Sequence, residues 1–124
     1  MTVLAQTVFD AGLQLITTNA NKIVICSQEP ATYTEANSTY KLGEKTSVTV
    51  GSPSAGSPDG RQVTVPAVTS GTVTTSGTAT HHALVDTVNS VLYAAKSLSA
   101  SQAVTSGGNT FSTSSYTIRI PAAA

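Results

Sequence analysis

The sequence predicts an all-β fold: a single β-sandwich or jelly-roll-like domain of seven to eight short strands, with a short N-terminal arm or helix. Three observations carry that expectation. Ser and Thr supply nearly a third of the 124 residues, while only 10% are charged. Thr alternates with Val and Ala in stretches such as 71–79 (GTVTTSGTA) and 110–120 (TFSTSSYTIRI), and β-branched side chains, stiff at χ1, suit a pleated, half-buried surface. Turn residues punctuate the chain at short intervals without strand-helix-strand alternation, which favours a sandwich over a doubly wound sheet.

The elements follow in order. Asp10 is placed to cap a short helix over 11–16, with Phe9 and Leu13 or Leu15 inward, although an extended arm suits the same letters. Residues 22–27 (KIVICS) form the first strand. Residues 28–45 hold three of the six carboxylates, with Pro30, Tyr33 and Tyr40, and read as a long loop with one helical turn near 33–36. Residues 46–50 (TSVTV) and 61–65 (RQVTV) alternate as two strands of a hairpin. Its tip, 51–60 (GSPSAGSPDG), is too rich in Gly, Ser and Pro for regular structure and is expected to be mobile. Pro66 closes the second strand or places it on an edge.

Residues 71–80 and 81–86 make further strands, and 86–90 (DTVNS) turns the chain into 91–95. In that hairpin Leu84 and Leu92 are expected on one surface, with Val85, Val91 and Tyr93 on the other. Gly107-Gly108-Asn109 is the strongest turn signal in the chain. The last strand runs to Ile120, with Tyr116, Ile118 and Ile120 on one face, and ends at Pro121.

Composition narrows the function classes. The chain has the length of one domain with a modest core. Its formal net charge is zero, and the six basic residues, Lys22, Lys41, Lys45, Arg61, Lys96 and Arg119, are scattered. Nucleic-acid binding needs clustered cations to neutralise several phosphates, so no nucleic-acid partner is expected. A charge-poor, hydroxyl-covered surface instead permits close packing of many copies. The one cysteine, Cys26, sits in the apolar run 23–26 (IVIC) and reads as a small buried hydrophobe. The first nine residues lack a basic and apolar leader, and no segment reaches the roughly 20 apolar residues of a membrane span. Folding in a cytoplasm without a membrane partner is therefore expected, and Asn37-Ser38-Thr39 matches a glycosylation sequon in form alone.

No catalytic constellation emerges. Adjacent residues of a strand face opposite ways, so His81 and His82 do not grip one metal ion together without a bulge, and one is expected inward or at an interface and the other outward. No Gly-x-Ser-x-Gly elbow occurs. Asp10, Glu29, Glu35, Glu44, Asp59 and Asp86 are isolated, and the glycines of 51–60 precede a strand rather than the helix that a phosphate loop opens. The reading is non-enzymatic, with no cofactor and no metal.

The chain resembles a type of small protein encoded among the structural genes of tailed bacteriophages and prophages. The likeness is carried by 79–86 (ATHHALVD), 91–94 (VLYA) with Leu98, 104–107 (VTSG) and 116–121 (YTIRIP), and by 25–30 (ICSQEP) with Tyr33 and Leu42-Gly43. It spans most of the chain and contains no mechanistic motif. It implies a virion component similar to capsid decoration, or cement, proteins, located on the capsid surface after assembly in the host cytoplasm. The implied partners are the major capsid protein and further copies of the chain in a homo-oligomer. Small tail and neck (head-tail connector) subunits are the alternative. A carbohydrate-binding β-sandwich competes from a different class and would need an exposed aromatic platform. The residues singled out for an interface are Val3 and Leu4 in the N-terminal arm, Tyr33 and Tyr40 as the available aromatics, and Ser54 and Asp59 at the tip.

Overall fold

Four consecutive buried residues, Ile23 to Cys26, organise the fold. They belong to β1 (Lys22–Cys26), and because alternate residues of a strand face opposite sides, both faces of that strand must be covered. Ile23 and Ile25 enter one apolar cluster and Val24 and Cys26 a second. β1 is accordingly an interior strand. It pairs antiparallel with β2 (Lys41–Thr46) on one side and β6 (Gly77–Asp86) on the other.

The computed structural model describes residues 6–56 and 60–120. Within them a six-stranded antiparallel sheet has the order β7-β6-β1-β2-β5-β8, with β5 at Val68–Val73, β7 at Val91–Val104 and β8 at Thr110–Thr113. A three-stranded sheet has the order β3-β4-β9, from Ser54–Ala55, Arg61–Val65 and Tyr116–Ile120. The sheets meet through the larger cluster. Ile23, Ile25, Leu42, Val73, Leu84 and Phe111 come from the large sheet, Val63 and Val65 from β4, and Tyr116, Ile118 and Ile120 from β9. Helix α1 (Gln6–Asn19) adds Leu13 and Ile16 to this core, and Asp10 bonds Arg61 of β4 at 2.8 Å. The outer face of the large sheet carries the second cluster, where Val24, Cys26, Ala83 and Val85 are roofed by Ala36, Tyr33 and Tyr40 around a π-helical turn at Glu35–Thr39.

The all-β reading holds, with nine strands among the described residues, one of them only two residues long. Several details differ from the sequence expectation. The helix starts well before Asp10, so that carboxylate serves as an ion-pair partner rather than a cap, and Leu13 is buried while Leu15 is half-exposed. The segment read as a loop ends in β2. Leu42 is buried there, and Glu44 accepts from Lys22 at 3.2 Å and Lys41 at 2.8 Å. Ser47, with φ at 58°, stops that strand, so 46–50 forms no hairpin with β4. β4 pairs instead with β9 and with β3, which gives part of the supposedly irregular tip a ladder.

Two further corrections concern register and connectivity. Residues 71–80 are split between β5 and β6, and 110–120 between β8 and β9, where Ser114 and Ser115 carry the chain from one sheet to the other. In the β6-β7 hairpin, Leu84 lies opposite Ala94 but Val85 opposite Leu92, leaving Tyr93 as an extra residue. Such a bulge reverses the facing of what precedes it. Leu92 therefore packs with Val85 on the outer cluster, and Tyr93 joins Leu84 in the main core. The turn itself is as expected: Asp86 Oδ1 accepts from the amides of Val88 and Asn89, and Oδ2 from Asn89 Nδ2 at 2.7 Å.

Candidate interaction surface

β7 is the longest strand, yet from Ser97 to Val104 (SLSASQAV) it carries neither charge nor proline. It lies at one edge of the large sheet, and β8, also uncharged, lies at the other. The two are consecutive in sequence, joined through Gly107 and Gly108 at φ of 104° and 91°, conformations that side chains rarely tolerate. They do not pair with each other. A groove of about 400 Å³ runs between them, lined by Gln102, Val104, Thr105, Asn109, Phe111 and Ser112 among others. None of its lining residues is titratable. Natural sheet edges are usually blunted by Lys, Pro or very short strands, because unpaired ladder groups template pairing with another chain. None of these devices protects this stretch of β7.

A smaller cavity lies where β7 approaches the crossover before β9. His82, 4% exposed, tilts against Tyr116 with ring centroids 4.6 Å apart. Lys96 Nζ sits 5.3 Å from the centre of the same Tyr ring. Burial, with Lys96 and His81 adding to it, pushes the His82 imidazole down to about 4, so the ring is neutral near pH 7. His81 is half-buried and hydrogen bonds Thr80 through Nδ1 at 2.9 Å, while His82 is buried, so the two adjacent imidazoles have different surroundings. Among the described residues no three His, Cys, Asp or Glu side chains come together in a metal-binding group. Cys26 is buried, and desolvation pushes its thiol up to about 11.

The residues singled out by sequence do not form one surface. Tyr33 and Tyr40 roof the outer cluster and are half-buried. The Tyr33 hydroxyl accepts from Asn37, and that of Tyr40 donates to Glu35 at 3.3 Å. Ser54 is exposed on β3, in the other sheet. Val3, Leu4 and Asp59 lie outside the described residues. The edges of β7 and β8 were missed. Their signal was the long uncharged run 97–118, which alternation alone does not distinguish from an interior strand.

No protein-family model matches the chain, nor does any curated protein or solved structure. No helix among the described residues is long and apolar enough to cross a membrane.

Proposed function

We propose that the chain is a non-enzymatic structural subunit of a tailed-phage particle, a capsid decoration protein that binds the coat lattice in many copies. The observation that carries this reading is the pair of uncharged strand edges flanking the β7-β8 groove. Main-chain donors and acceptors on an unprotected edge give affinity to an added strand, and alternate side chains give it register. A lattice protein needs such repeated contact area, and a standard interface buries about 1,200–2,000 Å². The sequence likeness to phage structural proteins supports the same reading. Tyr33 and Tyr40, half-buried and engaged in local hydrogen bonds, offer little to a glycan.

Purified phage particles from a host carrying the gene, analysed by mass spectrometry and cryo-EM, are expected to hold the chain in many copies on the capsid exterior. Its absence from the particle, or a few copies confined to the tail, overturns the capsid assignment.

A further inference from the structure

The small cavity beside the groove has a composition that bulk packing does not explain. It encloses about 110 Å³ and is lined by His82, Lys96, Ser97, Ser114, Ser115 and Tyr116, with Leu98 and Ser99 completing the wall. Its lining contains a cation and several hydroxyls but no carboxylate. Among the described residues Lys96 forms no ion pair, while Lys22, Lys41 and Arg61 all do. The imidazole Nδ1 of His82 is buried without a hydrogen-bond partner. A buried polar atom without a partner is costly, and His82 is one of the residues that line this cavity, so a guest held there is placed to supply the missing partner.

We propose that this cavity is a binding site for a single oxyanion, a carboxylate or phosphate group. His82 in its Nδ1-H tautomer and the serine hydroxyls would donate to the oxygens, and Lys96 would balance the charge at the mouth. A cavity of about 110 Å³ has room for a small guest such as a single carboxylate or phosphate group. Charge-assisted hydrogen bonds are roughly twice as strong as neutral ones, which favours an anion over a neutral guest here. The position also matters. Ser97 begins the unprotected stretch of β7, so an acidic side chain on a strand added to that edge lies within reach of the cavity. The oxyanion then has two possible sources, a free small anion or the carboxylate of a docked segment. The site's chemistry does not depend on the phage assignment.

The test is NMR of the histidine-labelled full chain, titrated with acetate, inorganic phosphate and a Ser/Thr peptide whose single charged side chain is a central Glu. Saturable shifts of the His82 ring signals are expected, together with a rise of its pKa from about 4 toward the ordinary histidine value as an anion gathers beside it. Lys96 is exposed, so Lys96→Gln should fold normally and weaken binding by about tenfold, equivalent to about 1.4 kcal/mol. Lys45→Gln, on β2, should not change it. Binding of the Glu peptide at least about tenfold tighter than acetate identifies the docked segment as the source, and equal affinity identifies the free anion. Absence of saturation by any of the three probes below about 100 mM, or equal shifts in Lys96→Gln and the parent, overturns the proposal.

Discussion

β1 and β7 belong to the same sheet and are built from the same backbone hydrogen bonds, yet they solve opposite problems. β1 has neighbours on both edges and apolar clusters on both faces, and four of its five residues are buried. β7 has one neighbour, two register shifts against it, and a second half that is mostly exposed Ser, Ala and Gln. The difference locates stability in the centre of the sheet and availability at its rim. A strand buried on both faces tolerates no polar substitution, whereas a Ser/Ala edge sacrifices packing and keeps its ladder groups on offer.

The sharpest way to break the comparison is to open the core. Leu84, fully buried in the main cluster, should cost about 2–5 kcal/mol as Leu84→Ala, whereas Ser99→Ala on β7 should stay within about 0.5 kcal/mol. Urea denaturation of the two variants measures both. Equal costs would mean that β7 is as structurally committed as the centre.

A second variant tests how β8 is held. Gly71 faces Phe111 so closely that an added Cβ would occupy the ring's space, and Gly43 stands 2.6 Å, measured from its would-be Cβ, from the backbone oxygen of Thr72. Gly71→Ala must therefore displace Phe111 and is expected to cost about 1–3 kcal/mol, a typical overpacking penalty. The pairing of Gly71 with Phe111 should loosen at the same time, seen as faster amide exchange in β8. An unchanged exchange pattern would show that β8 is held by something other than this contact.

Acid should expose a weak point on β6, the strand next to the rim. His82 is buried with its pKa lowered from 6.5 to about 4, so the unfolded chain takes up this proton more readily than the folded one. Stability is then lost as pH falls from about 6.5 to about 4, and His82→Phe should flatten that limb. Asp86 titrates lower still, because the Asn89 side chain and the amides of Asn89 and Val88 hold its carboxylate ionised, so its contribution disappears only in stronger acid. Melting temperatures between pH 8 and pH 3 for the parent and for His82→Phe separate the two groups. Coincident curves would show that His82 does not report on folding.

Legibility followed the range of the interactions. The run IVIC was readable because burial on both faces leaves a continuous apolar signature, and the 86–90 turn because Asp and Asn bond their own neighbours. The β6-β7 register was not, since one extra residue at Tyr93 leaves no mark in composition yet swaps the faces of Leu92 and Tyr93. β2 escaped for a different reason. Gly43 sits in that strand where the Thr72 carbonyl oxygen and the ring of Phe111, 68 positions later, occupy the space a side chain would need. His82 was expected to face inward or outward as one of a pair, but its orphaned nitrogen depends on Tyr116 and on the serines of the crossover, which only the folded chain brings together.

The smallest expected effect on folding is also the most informative about function. Ala103 is exposed near the end of β7, opposite Thr78 of β6, and it lines the groove facing β8. A lysine there has open solvent to reach, so Ala103→Lys should change unfolding free energy by no more than about 0.5 kcal/mol. The same charge is the device by which natural edges repel an incoming strand, since the added segment would have to desolvate it. Attachment to particles should therefore fall sharply in Ala103→Lys, while circular dichroism and the denaturation midpoint stay at parental values. Co-sedimentation of purified protein with particles lacking it measures the first quantity. Full attachment by a folded Ala103→Lys chain would remove the β7 edge from the interface, and global unfolding would remove the distinction between rim and centre.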